Sequence, residues 1–233
     1  MPLQPALKVL SDALEDRTPE EILRWAVQLY APKLAMATAF GPEGCVLLSM
    51  LAKVAQQARG VRVFNLDTGY QFPETLALKE QIRRQYGIAV EAVRAEEPVE
   101  RMERRFGGPL YATHPDECCR RRKVEPCRRA LFGYDAWISA IRRDQTPDRA
   151  RAGIVEWDPT FHLIKINPLA NWTKRDVWTY IRVHEVPYNP LHDQGYTSIG
   201  CWPCTRAARP GEDERAGRWA NFIKLECGLH SRS

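Results

Sequence analysis

A chain of 233 residues with 44% hydrophobic and 27% charged side chains has the profile of one soluble globular domain. Chains of this length bury roughly 70% of their unfolded surface, so a core forms without staples, and the seven cysteines call for a chemical explanation. The net charge of +5 is uneven: residues 118–129 carry six basic side chains against one acidic, a cluster that suits a small anion at least as well as a nucleic acid.

Leu3, Leu7, Leu10 and Leu14 recur at helical spacing, and Thr18-Pro19-Glu20-Glu21 supplies an N-cap, a first-turn proline and an acidic first turn. Residues 1–31 therefore read as two amphipathic helices packed on a sheet. Short apolar runs follow at Lys33–Ala39, Val61–Leu66, Ile88–Val93, Ala136–Ile141 and Leu163–Ile166, with helical patterns at Glu43–Arg59 and Pro73–Tyr86. Buried parallel strands joined by right-handed crossover helices produce this alternation. The predicted fold class is α/β, a doubly wound, mostly parallel sheet. Residues 142–161 read as a loop-like excursion, either a mobile lid or a plain surface loop. Trp172-Thr173-Lys174-Arg175-Asp176 caps a helix running to His184, and the remaining fifty residues show little sheet character. The longest apolar stretch, Val46–Ala52, falls far short of the ~20 residues of a membrane span, and no secretion signal is legible. A reducing cytoplasm is the expected compartment.

In doubly wound sheets, ligands bind at the carboxyl ends of the strands near the switch in strand order. Thr38-Ala39-Phe40-Gly41-Pro42-Glu43-Gly44 follows the first strand and opens a helix whose amides can face an anion. Asn65-Leu66-Asp67-Thr68-Gly69-Tyr70 follows the second. Taken alone, each also reads as an ordinary strand-to-helix turn.

Cys118-Cys119 and Cys201-Trp202-Pro203-Cys204 form two close pairs, and four thiolates arranged this way can converge on one soft metal centre. Zinc is the competing reading, since Cys₄ sites with a CxxC knuckle are common. The adjacent Cys-Cys favours a [4Fe–4S] cluster, whose separate irons accept neighbouring thiolates, and two redox-inert pairs are the bland alternative. Cys227, beside Gly228 with Lys224 and His230 close in sequence, has a nucleophile's setting, against the alternative of a stray surface thiol. Cys45 and Cys127 sit at apolar-flanked helical positions and read as spectators.

Together these segments resemble the assimilatory sulfonucleotide reductases, and within them the iron–sulfur, adenosine 5′-phosphosulfate type. The resemblance rests on Phe40-Gly41-Pro42-Glu43, Asp67-Thr68-Gly69 with Phe72-Pro73-Glu74-Thr75, Cys118-Cys119 with Lys123-Val124, Trp137-Ile138, Arg142-Arg143 and Asn167-Pro168-Leu169. It continues through Val186-Pro187-Tyr188-Asn189-Pro190-Leu191-His192, Ser198-Ile199-Gly200-Cys201, Pro203-Cys204-Thr205, Gly217-Arg218-Trp219 and Glu226-Cys227-Gly228-Leu229-His230. It implies an adenine-nucleotide alpha-hydrolase-like fold with a modified pyrophosphate loop, organised as one reductase domain over 1–233: N-terminal helices at 1–31, a nucleotide-binding core at 32–200, and a CxxC segment with a catalytic tail at 201–233.

The implied reaction is thioredoxin-dependent reduction of adenosine 5′-phosphosulfate to sulfite and AMP, in sulfate assimilation and cysteine biosynthesis. Cys227 would be the nucleophile that carries an S-sulfocysteine intermediate, and Cys118, Cys119, Cys201 and Cys204 would hold a [4Fe–4S] cluster. The resemblance assigns substrate contacts to Phe40, Gly41, Leu66, Asp67, Thr68, Gly69, Lys123, Arg142, Arg143, Arg215, Arg218 and His230. Covalent catalysis splits a hard two-electron step, and dense positive charge lets an anionic electrophile accept an anionic nucleophile. No fused thioredoxin-like domain resembles any part of the chain, so an external thioredoxin or glutaredoxin-like dithiol is the expected donor. Neither nucleic acid nor membrane is an expected partner, and a homo-oligomer is left open.

Four positions depart from the pattern. Ala39 and Gly44 stand where serine and aspartate are usual, with Thr38 as a partial replacement; Ala140 replaces a common glycine and Ala220 an aromatic residue. The alternative substrate is the 3′-phosphorylated nucleotide, alone or alongside the other. Remote rivals are a cluster-dependent tRNA-thiolating enzyme, whose Ser-Gly-Gly-x-Asp-Ser loop is absent, and a zinc-ribbon nucleic-acid binder using residues 118–129.

Overall fold

The computed structural model describes residues 3–55, 60–220, 222, 224 and 226–230. Helices α1 (Leu3–Ala13) and α2 (Pro19–Tyr30) come first, and the Thr18 hydroxyl accepts from Glu21 N while the Glu21 carboxylate accepts from Thr18 N, the reciprocal cap read from the sequence. Strand β1 (Leu34–Ala37), α3 (Pro42–Ala55), β2 (Val61–Asp67), α4 (Pro73–Tyr86) and β3 (Val90–Arg94) form the first half. Part of the predicted Glu43–Arg59 helix, residues 56–59, lies outside the described residues.

A series of short helices that the sequence reading passed over then intervenes: α5 (Val99–Phe106), α6 (Leu110–Thr113), α7 (Pro115–Cys119) and α8 (Glu125–Leu131). Between the last two, Arg120–Val124 form a π turn, a widened coil that recurs at functional sites. Strands β4 (Ala136–Ile138), β5 (Val155–Asp158) and β6 (Leu163–Ile166) and helix α9 (Lys174–Val183) complete the regular structure.

The six strands lie in the order β3-β2-β1-β4-β6-β5, and every neighbouring pair is parallel except β5 with β6. The mostly parallel, doubly wound expectation holds. Strand β5 is a correction, because it falls inside the stretch read as a loop. An edge strand with buried Val155 and Asp158 at its ends and half-buried Glu156 and Trp157 between them lacks the continuous apolar run that marks a strand covered on both faces. Helix α1 covers it, burying Leu7.

Side chains leave β1 alternately to two cores. Leu34 and Met36 pack with α2, α3 and α9 on one face, while Ala35 joins Phe64, Trp137 and the Cys127-Ala130-Leu131 side of α8 on the other. From β1 the chain steps outward through β2 and β3, then crosses to β4 on the other side of β1, runs to the edge strand β5 and returns as β6 between β4 and β5, so strand order switches between β1 and β4. The carboxyl ends of those two strands flank the crevice where such sheets bind ligands.

Candidate active site

A cavity of about 230 Å³ opens at that switch point. Its floor comes from the loop after β1 (Thr38, Ala39, Gly41), the end of β2 (Leu66, Thr68) and the end of β4 (Trp137, Ser139, Ala140), together with the first turn of α3. Its other walls come from residues near Gly200, from Arg215 and Arg218, and from the tail carrying Cys227 and His230.

The loop after β1 is bent sharply. Phe40 takes φ 57°, an uncommon conformation for a non-glycine residue, and its side chain is buried in the core. Its backbone N–H donates to the Thr38 hydroxyl at 3.0 Å. A β-carbon at position 44 would lie 2.7 Å from that same oxygen, so glycine there makes room for threonine at 38. Thr38 and Gly44 are thus sterically matched.

The loop after β2 divides its labour. Asp67 accepts from Arg94 Nε at 2.7 Å and from Gly69 N at 3.1 Å, while Gly69 turns at φ 78° where a β-carbon would lie 2.6 Å from Val99. Neither lines the cavity; they shape the loop. Thr68 does line it, and its hydroxyl lies 3.3 Å from Cys201 Sγ.

Cys118, Cys119, Cys201 and Cys204 border one smaller cavity next door, together with Tyr70, Tyr111 and Lys123. Gln71 bridges to Cys201 and Trp202 N donates to Tyr70 O at 2.8 Å, so the loop after β2 carries the CxxC segment to the end of α7. Tyr70, Tyr111 and Trp202 pack edge to face around the thiols. Burial first, and then their mutual repulsion, pushes the Cys118 thiol up to about 12 and the Cys204 thiol up to about 11. Without a bound cation these groups are neutral. Among the described residues no three ligating side chains converge on a site for one ion. Four sulfur donors around a shared space, inside an apolar shell, suit a larger soft centre better than a single tetrahedral ion.

Of the six basic side chains in 118–129, only Lys123 lines the nucleotide-sized cavity. Arg120 and Arg121 are paired with Glu117, Arg122 donates to Thr68 O and Glu97 O, and Arg129 donates to Arg94 O. The cluster read as a local field is mostly consumed by its own neighbours, which corrects the sequence reading. Cations at the cavity are instead Lys123, Arg149, Arg215 and Arg218. Burial alone would depress the Lys123 ammonium, but negative charge on Cys201, Cys227 and Cys119 as thiolates outweighs it and raises its pKa. Burial lowers Arg215.

Arg142 and Arg143 part company. Arg142 is 1% exposed, with its guanidinium on Glu43, on Asp144 at 2.8 Å and on Glu214 at 3.4 Å, tying the start of α3 to the arginine-bearing segment from behind the cavity wall. Arg143 points elsewhere: it donates to Ala152 O at 2.7 Å and pairs with Glu15 beside α1, so the structure does not bring it to this cavity.

Several contributors make contacts that the sequence did not assign. Trp219 sits under four cations, with Arg218 4.4 Å and Lys224 5.4 Å from its ring centroid. His230 stacks on Trp137 at 5.8 Å with ring planes 1° apart, and Trp137 Nε1 donates to the buried Asp158 at 3.1 Å. The His230 imidazole is held well below its usual range, by burial first and then by Lys165, Arg149 and Arg215. Ala140 lies in the cavity wall, whereas Ala220 is exposed, so the missing aromatic there opens no hole in the core. Arg149 Nε, Arg218 Nε and Trp219 Nε1 are buried donors around one cavity with no hydrogen-bond acceptor. Anionic oxygens would satisfy all three. Cys127, buried on α8, also borders the cavity, and burial pushes its thiol up; Cys45 is likewise buried, and Cys227 is partly exposed at the cavity.

Residues 33–207 match the phosphoadenosine phosphosulfate reductase domain. A phosphoadenosine 5′-phosphosulfate reductase from Gloeobacter violaceus is 46% identical over 231 residues, covering 98% of this chain and 95% of that one. Adenosine 5′-phosphosulfate reductase 2 from Bacillus subtilis is 45% identical, covering 96% and 93%. The crystal structure of phosphoadenylyl-sulfate reductase from Candida auris in a phosphate complex superimposes with a TM-score of 0.74 at 33% identity, covering 86% of this chain and 96% of the other.

Proposed function

The chain belongs to the phosphoadenosine phosphosulfate reductase family, and within it we propose that this enzyme reduces adenosine 5′-phosphosulfate to sulfite and AMP, with electrons from an external dithiol such as thioredoxin. The observation that carries this reading is a cavity with three orphaned buried donors and a cysteine on its wall, beside four grouped thiols. An anion and a nucleophile are both provided for in one space. Among the described residues no helix is long and apolar enough to cross a membrane.

Cys227 attacks the sulfate sulfur. A sulfur–sulfur bond forms, the bond to the bridging oxygen breaks, and AMP leaves with that electron pair. Arg215, Arg218 and Lys123 bind the phosphosulfate oxygens and offset the negative charge gathered as thiolate meets anion. His230, neutral and stacked on Trp137, presents a hydrogen-bonding edge without adding charge. A donor thiolate then attacks Cys227 Sγ and sulfite leaves with the pair. The donor's second thiol closes its disulfide and frees Cys227, so two electrons enter and none is stranded.

Cys118, Cys119, Cys201 and Cys204 would hold a [4Fe–4S] cluster. When bound, it supplies fixed charge and rigidity next to Lys123 rather than electrons, since the dithiol already provides both. Thr68 and Lys123 border both cavities or their shared wall, and they are the groups through which the two sites would sense each other.

The deciding experiment combines an absorption spectrum and iron analysis of anaerobic protein with incubation in adenosine 5′-phosphosulfate and peptide mass analysis. A brown protein gaining the mass of a sulfonate on Cys227 supports the reading; a colourless, zinc-containing protein that gains nothing overturns it. The similarity to a relative named for the 3′-phosphorylated nucleotide keeps that substrate as the second reading, and kcat/KM for the two nucleotides separates them.

A further inference from the structure

We propose that Arg149 is a latch for the catalytic tail: its buried ion pair with Glu226 holds the peptide carrying Cys227 over the nucleotide cavity. Arg149 belongs to the 142–161 excursion, which the reaction otherwise leaves without a role. Its Nη2 lies 2.8 Å from Glu226 Oε1 and 2.9 Å from Oε2, with the two side chains 8% and 7% exposed. Glu226 immediately precedes Cys227, so fixing its carboxylate fixes the nucleophile's backbone to within one residue. Arg215 stands 3.5 Å from the same carboxylate as a second cation.

The seat of the latch is itself built. Pro147–Arg149 form a 3-10 turn, Arg149 N–H donates to Thr146 O, and Arg149 Nη1 donates to Gln145 Oε1 at 2.5 Å. The same Gln145 oxygen accepts from Arg142 N at 3.0 Å, which ties the seat to the end of β4. By contrast, the described residues of the tail from 224 onward join no strand. Side chains hold it: Glu226 on Arg149, Leu229 in the second core and His230 on Trp137.

An ion pair suits a tail that must be docked for attack and then lifted so that a donor dithiol can reach Cys227. Buried pairs gain little net stability, because both charges rehydrate when separated, so the latch opens at small cost. Removing one partner is different. The other charge is then buried and uncompensated, and lifting the tail is the shortest way to return it to water. This inference rests on the proposed reaction only for the role of docking in turnover.

The test uses the full, anaerobically purified chain with its metal centre in place. Alkylation of Cys227 by iodoacetamide is followed by peptide mass analysis, AMP binding is measured directly, and kcat and KM are measured with adenosine 5′-phosphosulfate. Arg149→Met and the near-isosteric Glu226→Gln each raise the alkylation rate about tenfold, and Glu226→Gln lowers kcat about tenfold while its Kd for AMP stays within about twofold. Arg149→Lys, which keeps the charge but cannot hold Gln145 and Glu226 together, raises the alkylation rate less than Arg149→Met. Unchanged alkylation in Glu226→Gln overturns the latch whether or not Arg149→Met folds. So does a Glu226→Gln protein whose Kd for AMP weakens in proportion to kcat, because the pair would then serve nucleotide binding and not tail docking. A parent chain that reduces no sulfonucleotide overturns the proposed function, yet the alkylation contrast still reads the docking.

Discussion

The Thr68 hydroxyl lies 3.3 Å from Cys201 Sγ, and that contact joins the nucleotide cavity to the cavity of four thiols. Thr68 also accepts the Tyr70 N–H at 3.2 Å, so one side chain fixes the loop after β2 and touches a cysteine brought there from far along the chain. Thr68→Val keeps the shape and removes both hydrogen bonds. Each is worth about 1 kcal/mol net, and a buried N–H left unpaired costs about 1–3 kcal/mol. The expected outcome is a fall in kcat/KM of about fivefold to thirtyfold, with Thr68→Ser close to the parent in steady-state assays. A valine variant with parental kinetics would remove Thr68 from any coupling between the cavities.

Thr38 and Gly44 form a matched pair, and the match is testable by a double-mutant cycle. Gly44→Ala alone puts its methyl 2.7 Å from Thr38 Oγ1 and displaces the hydroxyl that holds Phe40 N–H. Overpacking of this kind costs about 1–3 kcal/mol. We expect Gly44→Ala to weaken AMP binding about tenfold, and Thr38→Ala with Gly44→Ala to recover most of that loss because the clash has gone. Additive effects in calorimetric titrations would show that the two positions act independently.

What sequence could reveal followed burial. Leu34 and Met36 face one core and Ala35 the other, so β1 had to be apolar throughout and was legible, as was the switch-point crevice beyond it. Strand β5 escaped because Glu156 and Trp157 are only half-buried at the sheet edge. Charge summed along the chain pointed to residues 118–129, yet summation cannot see that Glu117 takes Arg120 and Arg121 or that backbone carbonyls take Arg122. Arg142 and Arg143 were read together as neighbours in sequence, whereas in the fold one supports the cavity wall and the other pairs with Glu15. Arg149 lay in a segment whose proline and charge suggested only a loop, and its partner is 77 residues away.

The two kinds of cysteine should separate cleanly on substitution. Cys204 borders the thiol cavity, and Cys227 lines the nucleotide cavity. Cys204→Ser is expected to lose most of its iron and visible absorbance and with them most of its activity, since a soft centre deprived of one thiolate loses a ligand and its neighbours' packing. Cys227→Ser keeps iron and colour but releases no sulfite. Iron content by mass spectrometry, taken beside sulfite release, reads both. A Cys204→Ser protein with parental iron would move that residue out of the ligand set.

Tail docking is expected to depend on pH through His230. Docked against Trp137, its imidazole is held well below the usual range, by burial and then by the positive charges of Lys165, Arg149 and Arg215. Undocked, it returns to about 6.5. The docked state therefore binds fewer protons, so docking is at full strength above about pH 6.5 and is lost as pH falls through that value. Each further unit weakens it about tenfold, or about 1.4 kcal/mol, until the docked imidazole itself titrates. Protection factors for tail amides, from hydrogen exchange corrected for intrinsic rates, should fall about fivefold between pH 6.5 and 5.5 in the parent. His230→Phe retains a ring to stack on Trp137 and has no proton to gain, so its protection should be flat over the same interval. Equal pH dependence in the two proteins would assign the effect to another group, and the neutral imidazole would then have no part in holding Cys227 in place.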